Sequence, residues 1–401
     1  MTMVPIAKKN RLLQASYVTT LLLLLSLSGC GQKAPLNKNV FKQADHLQSF
    51  HTLFTKLDSI ANGASTSISI VHIGDSHLQA GYLSEKIKAK LQAYYTPTDT
   101  ILSPGLIFPF SLAQTNNPYY YESTGTGYWS GYRNVEHDPP VALGMTGISL
   151  KTDSSGQIRI KFRNSSRTNR YAFNQMRVLG HGKAVLETSI DDKTRFAPGQ
   201  TLLVDRPIDS IQIAIHPLPN DSFILQGLLL DYTASRIDYH TIGINGAQAK
   251  SYLQCQDLAS QLEALQPDWV ILSLGTNEAY SQPFNSKELE AELEAFMKTI
   301  EGAAPFAAKL LCTPNDHLDR NQQPNAQVAP LIAIQSSMAH KHGWALWDFY
   351  QLMGGQGSIE KWAEDSLTAR DRVHFNRRGY ERQGEMFFQA LQETKDKWQR
   401  Q

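Results

Sequence analysis

Ser67-Ile68-Ser69-Ile70-Val71-His72-Ile73-Gly74-Asp75-Ser76-His77 decides the fold. Its first seven residues are rich in Ile and Val and stop at a glycine, the pattern of a strand entering a turn. Upstream, Phe41, Leu47, Phe50, Leu53, Phe54, Leu57 and Ile60 recur at helical spacing over residues 41–60, and Gly63 closes that run. Downstream, residues 84–95 form a basic amphipathic helix. The first unit therefore reads as helix, strand, turn, helix.

The same alternation returns after Tyr239. Residues 240–244 are strand-like, 247–265 form one helix ending before Pro267, and Asp268 leads into the buried strand Trp269-Val270-Ile271-Leu272-Ser273-Leu274. Residues 287–301 carry Leu289, Leu293, Phe296 and Ile300 on one helical stripe. A strand at 309–312, a helix at 328–342 closed by Gly343, and a strand at 345–348 follow. Asn376 caps a last helix running to about Lys395. Alternating strands and helices predict a doubly wound parallel sheet covered on both faces, an α/β fold.

Residues 101–231 differ. Helical periodicity disappears, Gly and Pro become frequent, and short β-like runs recur at 147–151, 157–162, 175–179, 210–216 and 224–231. Regularly spaced short strands predict a sandwich or jelly roll. The expected organisation is one α/β domain in two segments, 41–100 and 236–401, interrupted by an inserted β-sandwich over 101–235. A chain of 401 residues is long enough for two domains with separate cores.

A formal net charge of +1, with no basic run, gives no electrostatic reason to expect nucleic acid as a partner. At the N-terminus, Lys8, Lys9 and Arg11 precede an apolar stretch over 17–27, too short for a stable spanning helix. Basic residues, an apolar run and small residues in that order are the pattern of an export signal. The segment ends Leu27-Ser28-Gly29-Cys30, which resembles the lipobox of bacterial lipoproteins. That resemblance implies a signal peptide over 1–29, lipidation at Cys30 and a tether over 30–40. It also implies attachment to a lipid bilayer in the cell envelope, with Gly31 after the cysteine favouring the outer membrane. Cys255 and Cys312 lie on separate elements and are expected as buried free thiols. No Cys/His spacing suits a metal, so the expected metal site is none.

Acyl transfer needs a nucleophile on an exposed turn, a base, a residue orienting the base, and donors for an oxyanion. In a doubly wound sheet these belong on loops at the carboxyl ends of strands. Four segments qualify. Gly74-Asp75-Ser76 follows the first strand and places Ser76 near a helix N-terminus, where backbone N–H groups favour negative charge. Alone such a tripeptide is also an ordinary turn. Asp371-Arg372-Val373-His374 precedes the last helix, and a carboxylate three residues before a histidine can turn back to its ring. Asn277, in Gly275-Thr276-Asn277-Glu278, can donate its amide or simply form a turn. Gly243-Ile244-Asn245-Gly246-Ala247 offers a glycine N–H, or only a tight strand-to-helix turn.

Together, in this order and each at a strand end, these segments resemble the four blocks of the SGNH (GDSL-type) hydrolase family. The resemblance covers most of the chain beyond the tether, apart from the β-rich insertion. It implies a flavodoxin-like three-layer domain with Ser76 as nucleophile, His374 as general base and Asp371 as its partner. The oxyanion donors it implies are the N–H groups of Ser76 and Gly246 and the side chain of Asn277, with Gly243 the competing glycine. Two departures stand out: Glu278 follows Asn277 where Asp is common, and His77 follows Ser76 where Leu is usual. Both are similar to the branch that includes peptidoglycan O-acetylesterases, which also carry a β-sandwich insertion like a carbohydrate-binding module. His77, Tyr128 and Trp129 are the candidate substrate contacts, the last two within the aromatic cluster Tyr119, Tyr120, Tyr121, Tyr128, Trp129 and Tyr132.

The resemblance thus implies a cofactor-free, monomeric serine esterase that removes O-acetyl groups from a cell-wall glycan. Esterases for other polysaccharides such as acetylated xylan, a polysaccharide O-acetyltransferase, and an inactive glycan-binding lipoprotein are the competing expectations.

Overall fold

The computed structural model describes residues 38–98, 101–164, 170–188, 190, 194–280 and 283–401. The export signal and Cys30 lie outside the described residues. Five parallel strands form the central sheet: β1 (Ile68–Gly74), β2 (Ile237–Gly243), β3 (Trp269–Ser273), β4 (Ala308–Cys312) and β5 (Ala345–Trp347), in the order β2-β1-β3-β4-β5. β1 and β3 alternate strictly between two buried faces. Ile68, Ile70, Trp269 and Ile271 pack beneath the helices Gln48–Ala61, Tyr82–Tyr95 and Arg377–Gln399. Val71, Ile73, Val270 and Leu272 face the opposite layer, where the helices Ser286–Ala303 and Val328–His342 lie. Burial on both faces is why these strands read as near-continuous apolar runs.

The register fixes where the strands end. Gly74 pairs with Gly243 on one side and Ser273 on the other, Ser273 pairs with Cys312, and Cys312 with Trp347. The carboxyl ends therefore form one row, and the loops that follow rise from the same edge. The order reverses at β1, which creates the crevice where ligands bind in open α/β sheets.

Among the described residues of 101–231, most strands fall in two antiparallel sheets, beside a short parallel pair, Ile101–Leu102 with Arg170–Tyr171. One sheet has the strand Ser210–Pro217 at its centre, with Gly156–Phe162 beside it and Tyr121–Thr126 at the edge. The other is built around Phe223–Asp231, paired with Phe173–His181, Ile148–Thr152 and the short Gly105–Ile107. Separate cores were the expectation, and the structure differs. Ile160, Phe162, Leu150, Phe173 and Leu228 belong to the same apolar core as Val71, Ile73 and Leu272 of the parallel sheet. Residues 39–401 accordingly form one compact unit.

Residues 247–265 do not form the single expected helix. They split into Ala249–Leu253 and Leu258–Ala264. The break is where the β-rich segment docks: Leu143 N donates to Gln256 Oε1 (2.8 Å), Asp257 N donates to Leu143 O (3.2 Å), and Gln226 Nε2 donates to Asp257 Oδ2 (2.6 Å). Asp257 N, which a continuous helix would use internally, is spent on that interface. The helix expected at 84–95 begins at Tyr82 and is less exposed than its lysines suggested, because Lys88 is buried and donates to Ser103 O. Cys255 and Cys312 are both buried and unpaired.

One polar group deep in the sheet has a thermodynamic consequence. His72, 1% exposed, bridges Tyr239 Oη (2.7 Å) and Ser273 Oγ (2.7 Å). Burial pushes its imidazole from the ordinary 6.5 to about 3. The unfolded chain therefore binds a proton that the folded chain refuses, so this contribution is full above pH 6.5 and is lost as pH falls toward 3. Urea denaturation of wild type and His72→Gln at pH 7 and pH 4.5 is expected to show the wild type losing on the order of 2 kcal/mol relative to the variant at the lower pH. Parallel pH dependence in the two proteins would refute the assignment.

Candidate active site

Ser76 opens the short helix Ser76–Gln79, directly beyond β1. Asp75 caps that helix, its Oδ1 accepting from His77 N at 2.9 Å. As the first helical residue, Ser76 has an N–H with no intrahelical acceptor. His374 Nε2 lies 2.8 Å from Ser76 Oγ, across a separation of 298 residues in sequence. The other ring nitrogen, Nδ1, meets Asp371 Oδ2 at 2.7 Å.

The turn carrying Asp371 and His374 is held by its own carboxylate. Asp371 Oδ1 accepts from Val373 N and His374 N, both at 3.0 Å, while Arg372 between them takes a left-handed φ of 51°. Partial burial works to raise the Asp371 carboxyl, but bonds from the His374 ring and from the His374 and Val373 amides outweigh it and hold the carboxyl below its usual value. It is thus an acceptor suited to stabilising an imidazolium.

Glycine roles separate cleanly. A Cβ on Gly243 would sit 2.5 Å from Gln79 N and 2.8 Å from Asp75 O, so Gly243 permits β2 to pack against the Ser76 turn. Gly246 has a φ of +87° and lines the cleft, with nothing nearer its Cβ position than Val135 at 3.8 Å. Of the two, Gly246 is the glycine facing the reacting space. Asn277, in the helix Thr276–Tyr280 after β3, also lines it; its Nδ2 donates to Ala247 O (3.0 Å) and more distantly to Asp75 Oδ2 (3.4 Å). Ser76, Gly246, Asn277 and His374 thus share one cleft of about 500 Å³, together with Tyr82, Asn116, Tyr280, Asp371, Arg377 and Tyr380.

The three expected substrate contacts are placed elsewhere. His77 is 8% exposed and lies beneath His374, ring centroids 4.9 Å apart at 28°, with Nδ1 bonded to Tyr380 Oη at 3.0 Å. Burial, reinforced by the charges of His374 and His317, lowers its pKa well below 6.5 and keeps it neutral. Tyr128 is exposed in the turn after the strand Tyr121–Thr126, and Trp129 donates to Thr126 O (3.0 Å) and covers Gly156. Neither lines the cleft. Aromatic clustering failed as a signal because Tyr120 and Tyr121 are core residues.

Sequence reasoning missed the residues that tie the four loops together. Gln79 is 2% exposed; its Nε2 donates to Thr115 Oγ1 (3.0 Å) and Asn116 O (2.9 Å), and its Oε1 accepts from Asn245 N (2.7 Å). Asn315, in the loop after β4, donates from Nδ2 to Val373 O (3.0 Å). His317 is fully buried, reaches Asn315 O through Nδ1 and pairs through Nε2 with Asn325, whose amide donates to Ala279 O (2.9 Å). The clue was the run Asn315-Asp316-His317 at a strand's carboxyl end. Burial pushes Asp75 to about 6 and Glu278 to about 7, the latter accepting from Ala249 N at 2.9 Å. Among the described residues no group of His, Cys, Asp and Glu is arranged to hold a metal.

Residues 219–382 match the GDSL-like Lipase/Acylhydrolase family. The match takes in Gly246, Asn277, Asp371 and His374; Ser76 lies upstream, beyond the β-rich segment. Comparison with curated proteins gave no match. Among solved structures, a peptidoglycan O-acetylesterase shares 21% identity at a TM-score of 0.69, covering 86% of this chain and 96% of its own. A lipase/acylhydrolase from Enterococcus faecalis shares 19% identity at a TM-score of 0.31, covering 41% of this chain and 78% of its own. A carbohydrate esterase family 2 enzyme with a carbohydrate-binding domain from Corynascus thermopiles shares 10% identity at a TM-score of 0.31, covering 61% and 95%. The first likeness shows a shared fold that extends over the β-rich segment as well as the parallel sheet.

A serine activated in this way should react with a fluorophosphonate. Wild type is expected to gain one adduct at Ser76 by intact mass, and Ser76→Ala none. Asn315→Ala, which releases Val373 O and loosens the His374 turn, should label roughly ten to a hundredfold more slowly. Wild-type labelling rates in that variant would show that Asn315 does not position the histidine.

Proposed function

We propose that this chain, which carries a GDSL-like acylhydrolase domain, is a serine esterase that hydrolyses O-acetyl esters on a cell-wall glycan. The observation that carries the reading is the continuous chain from Asp371 Oδ2 through the His374 ring to Ser76 Oγ, opening on the cleft that Gly246 and Asn277 line.

In this mechanism Ser76 Oγ attacks the ester carbonyl while His374 Nε2 takes its proton, and Asp371 stabilises the imidazolium that forms. The carbonyl oxygen gains charge and is met by Ser76 N, Gly246 N and Asn277 Nδ2. The tetrahedral species collapses to an acetyl-serine as His374 returns the proton to the departing sugar oxygen. Water then attacks the acetyl-serine with His374 again as base, giving acetate and free Ser76. The neutral, buried His77 and His317 beside His374 let the imidazolium form without a second cation next to it.

A glycan substrate is supported by the cleft's amide side chains at Asn116 and Asn245 and by the likeness to the peptidoglycan O-acetylesterase fold. The cell-wall setting rests on the N-terminal pattern ending at Cys30, from which we propose lipid attachment at the outer membrane.

Acetate release from O-acetylated peptidoglycan, followed by mass spectrometry of the muropeptides, tests the activity. Ser76→Ala is expected to abolish release, and Asn277→Ala to slow it by on the order of a hundredfold or more. Full activity in purified Ser76→Ala would overturn the mechanism. Cys30→Ala should move the protein from the membrane fraction to the soluble fraction; unchanged partitioning would remove the anchor.

A further inference from the structure

Arg377 is the single arginine or lysine lining the described cleft. Its Nε donates to Glu381 Oε1 at 2.7 Å, and its guanidinium lies 5.7 Å from the centroid of the Tyr119 ring. Tyr119 in turn stacks on Tyr82, ring centroids 4.4 Å apart at 12°, and Tyr82 lines the same cleft. The guanidinium is thus held on one edge by a carboxylate and rests on an aromatic stack. Its two terminal nitrogens have no protein acceptor among the described residues.

Several other polar groups of the wall are already engaged. Asp371 spends both carboxylate oxygens on its own turn and on His374. Asn245 Nδ2 donates to Asn116 Oδ1 (2.8 Å), and Asn376 caps its helix through Gly379 N (3.1 Å). Arg377 therefore offers an incoming molecule a fixed pair of guanidinium donors, a geometry that matches a carboxylate better than a hydroxyl.

The position is costly for the helix. Arg377 and Arg378 are the first two residues of the 23-residue helix Arg377–Gln399, whose first turn holds no acidic residue. Cations there oppose the helix dipole. A local rule broken at the mouth of a catalytic cleft, with only Glu381 in partial compensation, marks a residue kept for binding.

We propose that Arg377 determines specificity by pairing with a carboxylate borne by the acylated sugar or its attached peptide, so that the enzyme selects anionic acyl glycans over neutral ones. The inference rests on the esterase reading and adds the charge of its substrate. Glu381 fixes the guanidinium through Nε, and the terminal nitrogens take the ligand's oxygens.

The test compares 4-acetoxybenzoate with 4-acetoxybenzamide, two aryl acetates differing in one carboxylate. Wild type is expected to favour the benzoate in kcat/KM, and Arg377→Gln to lower that preference by on the order of tenfold through KM, with kcat for the two esters changing together. Arg377→Lys should restore part of the preference, since it keeps the charge without the fork. A second readout needs no turnover: Ser76→Ala should bind N-acetylmuramic acid more tightly than N-acetylglucosamine by NMR titration, and the double variant with Arg377→Gln should not. Hydrolysis of both esters with the same preference in wild type and Arg377→Gln overturns this proposal and leaves the esterase reading standing. Hydrolysis of neither ester by wild type removes both.

Discussion

The parallel register at the carboxyl edge of the sheet is the constraint on which everything else depends. Gly74 sits between Gly243 and Ser273, so the loops carrying Ser76, Gly246 and Asn277 start on adjacent strands, about 5 Å apart. Close approach is possible because of what is missing. A Cβ on Gly74 would lie 2.7 Å from Ser273 O, and one on Gly243 would press on the Ser76 turn. Two absent methyl groups therefore let three strands bring their ends to one point. Register shifted by a single residue would turn every side chain of the strand to the other face.

Hydrogen bonds between loops add to those within them in setting the geometry. Gln79 joins the serine turn to the Gly246 turn and to the loop holding Asn116. The loop after β4 reaches both ways, through Asn315 to Val373 and through Asn325 to Ala279. The turns that carry Ser76, Gly246 and His374 are thus tied to neighbours from other parts of the chain, the kind of support that fixes side-chain positions closely. Burial also keeps His77 and His317, which lie near His374, neutral, as the proposed base role of His374 requires.

The β-rich segment is part of this machinery and not a separate appendage. Its apolar residues complete the core on one face of the parallel sheet; Asn116, from its first third, lines the cleft, and Tyr119 stacks on the cleft residue Tyr82. Contact with the reacting space thus comes through a loop leading into its sheets, while Tyr128 and Trp129 point their chemistry elsewhere. Docking of the segment also accounts for the helix break at residues 254–257.

The sequence by itself determined the alternation of strands and helices, the four loops and the polar residues they carry, because periodicity and turn chemistry are local. Strands 68–74 and 269–273, the helix 328–342 closed by Gly343, and the Asn376 cap are all written in neighbouring residues. Sequence could not choose between Gly243 and Gly246, assign His77, or find Gln79 and Asn315. Each of those depends on what lies opposite in space: whether a glycine meets a backbone or a cleft, whether a histidine lies over or under its neighbour's ring. Those relations appear only in three dimensions, because 298 residues separate Ser76 from His374 and no local pattern encodes which distant groups share a cavity.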